Sequence, residues 1–125
     1  MQLRIKATDY QLTPETEAYV NTRAQTLERL LGEHAAVTRI EIEVGKDAGK
    51  SRHGANMYFA EIRVLSPGGT AVYARNNSES INGAIDDVKE EVERQLRKQK
   101  SFSMHYLRKS GALLKRLMRF GDEEV

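Results

Sequence analysis

SESINGAIDDVKEEVERQLRKQK, residues 78–100, is the stretch that decides the fold. Ile81, Ile85, Val88, Val92 and Leu96 recur at helical spacing, so one side of a long helix is apolar and has to be covered. Ser78 or Ser80 caps its start. Asp86, Asp87, Glu90, Glu91 and Glu93 fill the first half, and Arg94, Arg97, Lys98 and Lys100 fill the second. That order suits the helix dipole, which favours anions at the N-terminus and cations at the C-terminus. Glu90–Arg94 and Glu93–Arg97 are i,i+4 pairs in the favourable direction.

The segments before it supply strands for this helix to cover. Residues 70–75 read as a strand, reached through the turn Ser66-Pro67-Gly68-Gly69 from another strand over 57–65. Residues 38–44 (TRIEIEV) alternate, with Ile40, Ile42 and Val44 on one face and Arg39, Glu41 and Glu43 on the other. Thr13-Pro14 is a helix start, Val20, Ala24, Leu27 and Leu31 form its buried stripe, and Gly32 stops it. Residues 2–7 alternate as a half-buried first strand. The order is β-α-β-β-β-α, a two-layer α+β domain with a four-stranded sheet and two helices on one face. The first two strands, joined through a helix, are expected to be parallel neighbours. On the third strand Ala60, Ile62 and Val64 suit the helix side. Met57, Phe59, Glu61 and Arg63 then go to the open side and, with Tyr73, leave a small apolar patch there.

Composition narrows the function. A chain of 125 residues with 39% hydrophobic and 30% charged residues is an ordinary globular domain. Without cysteine there is no disulfide or thiolate metal site. MQLRIKATDY has no uninterrupted apolar run, so a signal peptide is not expected, nor is a membrane span of roughly 18 apolar residues; the expected location is cytoplasmic. His34, His53 and His105 lack ligand spacing, and Asp86 and Asp87 point different ways on a helix. GKDAGKS (45–51) resembles a phosphate loop but has only Lys46, Asp47 and Ala48 between its glycines, and a strand rather than a helix follows. Two readings fit Lys46, Lys50, Arg52 and His53: an ordinary solvated hairpin loop, which is the simpler, and contacts to an RNA backbone. No enzyme activity, metal, cofactor or small-molecule substrate is expected.

Charge is distributed unevenly. Residues 1–93 hold 11 Lys/Arg and 15 Asp/Glu, residues 94–121 hold nine Lys/Arg and no acid, and Asp122, Glu123 and Glu124 follow. A stretch of that length without a carboxylate is a footprint for a polyanion, nucleic acid first and anionic lipid second. Residues 1–100 thus form one domain, and 101–125 a basic amphipathic C-terminal extension. Within it Leu113, Leu114, Leu117, Met118 and Phe120 share one side of a short helix capped by Ser110, with Lys115, Arg116 and Arg119 opposite. Three roles fit it: packing on the domain's own sheet, docking on a macromolecular partner, and lying on a membrane surface.

AIDDVKEEVERQLRKQK (84–100) resembles the ribosome hibernation promoting factor family, also called ribosome-associated inhibitor or ribosomal subunit interface proteins. Ala84, Ile85, Asp86, Glu93, Arg94, Gln95, Leu96, Lys98 and Lys100 match its A-I-D…E-R-Q-L-x-K-x-K pattern. The Thr13-Pro14 helix, Ala60-Glu61 and the Pro67-Gly68-Gly69 turn match too. The resemblance implies the short form, a fold shaped like double-stranded RNA-binding domains, and a monomer off the ribosome. It also implies binding in the small ribosomal subunit, where messenger RNA and transfer RNA sit, and silencing of idle ribosomes in stationary phase or stress. By that resemblance Arg94, Arg97, Lys98 and Lys100 contact ribosomal RNA phosphates. Lys89 replaces a family basic residue one turn away, and Arg23 and Arg29 help from the first helix. The rival classes are a non-ribosomal RNA-binding module and a membrane-surface or protein-interaction adaptor acting through the extension.

Overall fold

In a computed structural model of the chain, residues 1–47, 56–67 and 71–109 are described, with side chains as far as Gln99. Strand β1 (Gln2–Thr8) leads to helix α1 (Pro14–Leu31), a 3-10 turn (Gly32–Val37), strands β2 (Arg39–Lys46), β3 (Tyr58–Leu65) and β4 (Val72–Ser78), and helix α2 (Ile81–Lys109). The sheet order is β1-β2-β3-β4, with β1 parallel to β2 and the other two pairings antiparallel. This is the expected β-α-β-β-β-α domain.

Local chemistry sets the element ends. The Thr13 hydroxyl accepts from the Thr16 amide at 3.1 Å, Pro14 opens α1, and Gly32 closes it with a positive φ of 58°. Ser80 is the cap of α2, its hydroxyl accepting from the Gly83 amide at 3.0 Å. Both apolar stripes lie on the sheet. Val20, Ala24 and Leu27 of α1 and Ile81, Ala84, Ile85, Val88 and Val92 of α2 meet Ile40, Ile42, Val44, Ala60, Ile62, Val64, Val72 and Ala74 in one buried cluster. Leu31 and Leu96 pack at its margin.

Three features differ from expectation. The 3-10 turn has no signature of its own in the sequence; Thr38 secures it, donating to the His34 carbonyl at 2.5 Å. Strand β4 is shifted toward its C-terminus and carries Asn76, Asn77 and Ser78. Those residues stay in the ladder because they pair with Ala60, Phe59 and Tyr58.

The open face also differs. Phe59 points to that side yet is 3% exposed. Its ring lies over Gly45, the facing residue on β2, where a Cβ would sit 3.0 Å from Phe59 Cε1 and 2.0 Å from the Thr8 carbonyl oxygen. The Arg75 guanidinium covers it 4.1 Å from the ring centre. Of the expected apolar patch, Phe59 is covered, Met57 is half-buried, and Tyr73 stays 44% exposed. Around it the face is charged: Arg4, Glu41 and Arg63 share one row, and Lys6, Glu43, Glu61 and Arg75 the next. The turn glycines, the 45–51 loop from Ala48 onward, and the short helix expected from Ser110 lie outside the described residues.

Candidate nucleic-acid interface

Helix α2 leaves the sheet with its basic half. Gln95 donates to the Tyr73 carbonyl at 3.1 Å, so by that point the helix is level with the start of β4. The backbone nevertheless stays helical to Lys109, past the expected end at Lys100. At about 1.5 Å per residue α2 is about 43 Å long, against about 25 Å for a seven- or eight-residue strand. From Arg94 to Lys109 it bears no carboxylate, and its Lys and Arg residues fall at 94, 97, 98 and 100 and again at 108 and 109.

Two sides of α2 flank its buried stripe. On the α1 side Glu93 sits between two cations, with Lys89 Nζ 2.6 Å from Oε1 and Arg97 Nη2 3.2 Å from Oε2. On the β4 side Arg94 pairs with Glu91 rather than with Glu90. Glu91 is the better-fixed acid, because Gln95 donates to its other oxygen at 3.1 Å. The Gln95 amide and Arg94 hold the Glu91 carboxyl below its ordinary value. Despite these pairs Arg94 and Arg97 keep 76% and 65% of their side chains exposed. Lys98 is exposed, with no carboxylate partner among the described residues.

Toward its N-terminus α2 is tied to α1. The Tyr19 hydroxyl donates to Asp86 Oδ2 at 2.6 Å, and Arg23 Nε donates to Oδ1 at 3.0 Å. The Arg23 guanidinium also stacks 3.5 Å from the centre of the Tyr19 ring. Thr22, Arg23 and Thr26 face Asp86, Lys89 and Glu90 across a groove, so the helices run side by side in the same sense. Arg29 lies one turn beyond Thr26, exposed, with Nη2 3.4 Å from the Thr26 hydroxyl.

Of the seven expected contacts, Lys89 and Arg97 are joined through Glu93, and Arg94 and Lys98 occupy the other side of the same helix. Arg23 is engaged by Asp86, Arg29 stands at the groove's edge, and the Lys100 side chain lies outside the described set. The Tyr19–Asp86–Arg23 cluster and the double pairing of Glu93 emerge only from the fold. The sheet's open face is a poorer polyanion surface, since Glu41, Glu43 and Glu61 occupy its central strands. Among the described residues no group of acids and histidines is disposed to hold a metal, and no helix is long and apolar enough to cross a membrane.

A four-stranded mixed sheet with two helices on one face and a cationic helix end defines the class as a two-layer α+β domain. The chain belongs to the Sigma 54 modulation protein / S30EA ribosomal protein family, whose model matches residues 3–102. This is the family of ribosome-associated hibernation factors that residues 84–100 resemble. Comparison with curated proteins finds no significant match. Among solved structures, the Thermus thermophilus Protein Y N-terminal domain is similar at 20% identity and a TM-score of 0.62, over 78% of this chain and 98% of that one. A ribosomal subunit interface protein from Coxiella burnetii is similar at 15% identity and a TM-score of 0.62, over 81% of this chain and 99% of that one. At these identities the likeness is one of fold.

Proposed function

We propose that this protein binds the small ribosomal subunit at the channel used by messenger RNA and transfer RNA, and inhibits translation by occupying it. The observation that carries the proposal is the acid-free half of α2, which is helical to Lys109 beyond the end of the sheet. A helix that bears cations and no carboxylate beyond Glu93 suits a cleft walled by phosphates, where each phosphate neutralised releases counterions. A-form RNA is recognised through shape and backbone, which such a helix contacts without reading bases. Occupancy needs no bond making, so the function is non-enzymatic. Family membership and the likeness in fold to a ribosomal subunit interface protein support a ribosomal target. Silencing of ribosomes in stationary phase or stress, in the cytoplasm, by a monomeric protein is the biological setting this reading implies.

The test is competition. Purified protein added to small subunits should displace bound transfer RNA and messenger RNA in proportion to its own binding, and should stop translation in a reconstituted system. Binding that leaves both ligands in place, or that duplex RNA competes away as well as ribosomes do, would contradict it.

A further inference from the structure

Among the described residues Glu93 is the one buried charged side chain, with the residue 7% exposed. Burying a carboxylate is unfavourable unless it is paired, and an apolar residue often serves stability as well or better. Glu93 is paired twice. Its two oxygens are divided between cations one turn before and one turn after it, Lys89 at 2.6 Å and Arg97 at 3.2 Å. Those partners are not buried: their side chains are 24% and 65% exposed, against 10% for Glu93. The carboxylate therefore lies behind the cations as seen from solvent, and a phosphate approaching α2 meets the Arg97 guanidinium first. Arg97 has five N–H donors, and the Glu93 contact leaves others for a ligand.

We propose that Glu93 is a positioning residue for polyanion binding, holding Lys89 and Arg97 in fixed places so that the phosphate backbone meets an ordered pair of cations. The inference rests on the RNA-binding reading above. Arginine and lysine side chains are rotamer-rich, and ordering them in advance removes a cost that binding otherwise carries. Simple electrostatics predicts the opposite sign. Glu93 cancels one positive charge, so its removal should then tighten binding to RNA.

The experiment measures affinity for purified small ribosomal subunits, using the full chain as wild type, E93Q, E93D, R97A and E93Q/R97A. Melting curves establish which variants are folded. E93Q should weaken binding about threefold to tenfold although it makes the protein more positive, the range set by one or two side chains that must be ordered on binding. In the R97A background the same change should have a much smaller effect, which a loss of general stability would not produce. E93D, too short to reach both cations, should weaken binding in the same direction and carries the test if E93Q is unfolded. Equal or tighter binding by folded E93Q or E93D overturns the inference and leaves the ribosomal reading standing, as does an undiminished loss in the R97A background. A wild-type chain that does not bind small subunits overturns both.

Discussion

Arg23 reaches from α1 to α2 and places its Nε 3.0 Å from Asp86 Oδ1, with its guanidinium stacked on Tyr19. The Tyr19 hydroxyl takes the other Asp86 oxygen, so one carboxylate is held from α1 by two side chains four residues apart. The contact fixes the helices against each other just ahead of the cationic end of α2. It also turns Arg23 toward the domain itself, leaving only part of its surface to a ligand.

Burial pushes the Asp86 carboxyl up, but the Tyr19 hydroxyl and Arg23 outweigh it and bring the group below its ordinary value. The ionised form is therefore favoured by folding. Its contribution is present above the ordinary carboxylate range and disappears as pH falls through the lowered value. Because the pair is partly exposed, D86N should cost only about 0.5–1 kcal/mol at neutral pH. Urea melts of wild type and D86N should differ at neutral pH, and the difference should shrink as pH falls below the ordinary carboxylate range.

Gly45 is required by its neighbours. An alanine Cβ would overlap the Thr8 carbonyl oxygen and press on the Phe59 ring. Either β1 must separate from β2 or Phe59 must leave its place, so G45A should cost about 2 kcal/mol or more. Thermal melting would show this as a lower midpoint, and an unchanged midpoint would mean that the sheet yields there.

Phe59 and Tyr73 both stand on the open face, but they should respond differently to truncation. Phe59 is enclosed by Gly45 and Arg75, and F59A should cost about 3 kcal/mol. Tyr73 is 44% exposed, with Arg63 5.6 Å from its ring centre and its hydroxyl hydrogen-bonded to Glu61 at the surface. Y73A should cost about 1 kcal/mol or less. Equal losses in denaturant melts would contradict the burial assigned to Phe59.

Much of this fold is legible in periodicity. The stripes Val20–Ala24–Leu27 and Ile81–Ile85–Val88–Val92 fix both helices, and Thr13-Pro14 and Gly32 mark α1 almost to the residue. The end of β4 is not legible, because Asn76, Asn77 and Ser78 have poor strand propensity and are kept in place by pairing with β3. Nor is the burial of Phe59, which depends on a glycine fourteen residues earlier in the chain and opposite only in the sheet. For the candidate interface, the acid-free run from Arg94 is plain in the sequence, as is the Glu93–Arg97 spacing. That Glu93 would be buried, and that Asp86 would bind Tyr19 and Arg23, depends on how α1 lies against α2. A single helix pattern carries no information about that.

The most direct test of the interface is the salt dependence of binding to small ribosomal subunits, compared between wild type and the triple variant R94E/R97E/K98E. If the cationic half of α2 meets RNA phosphates, log affinity for wild type falls linearly and steeply with log salt, each phosphate contact adding about 0.7–0.9 to the slope. The triple variant should then keep its fold and lose binding at every salt concentration. A folded triple variant that binds as wild type does, with the same slope, would contradict the placement of the interface on α2.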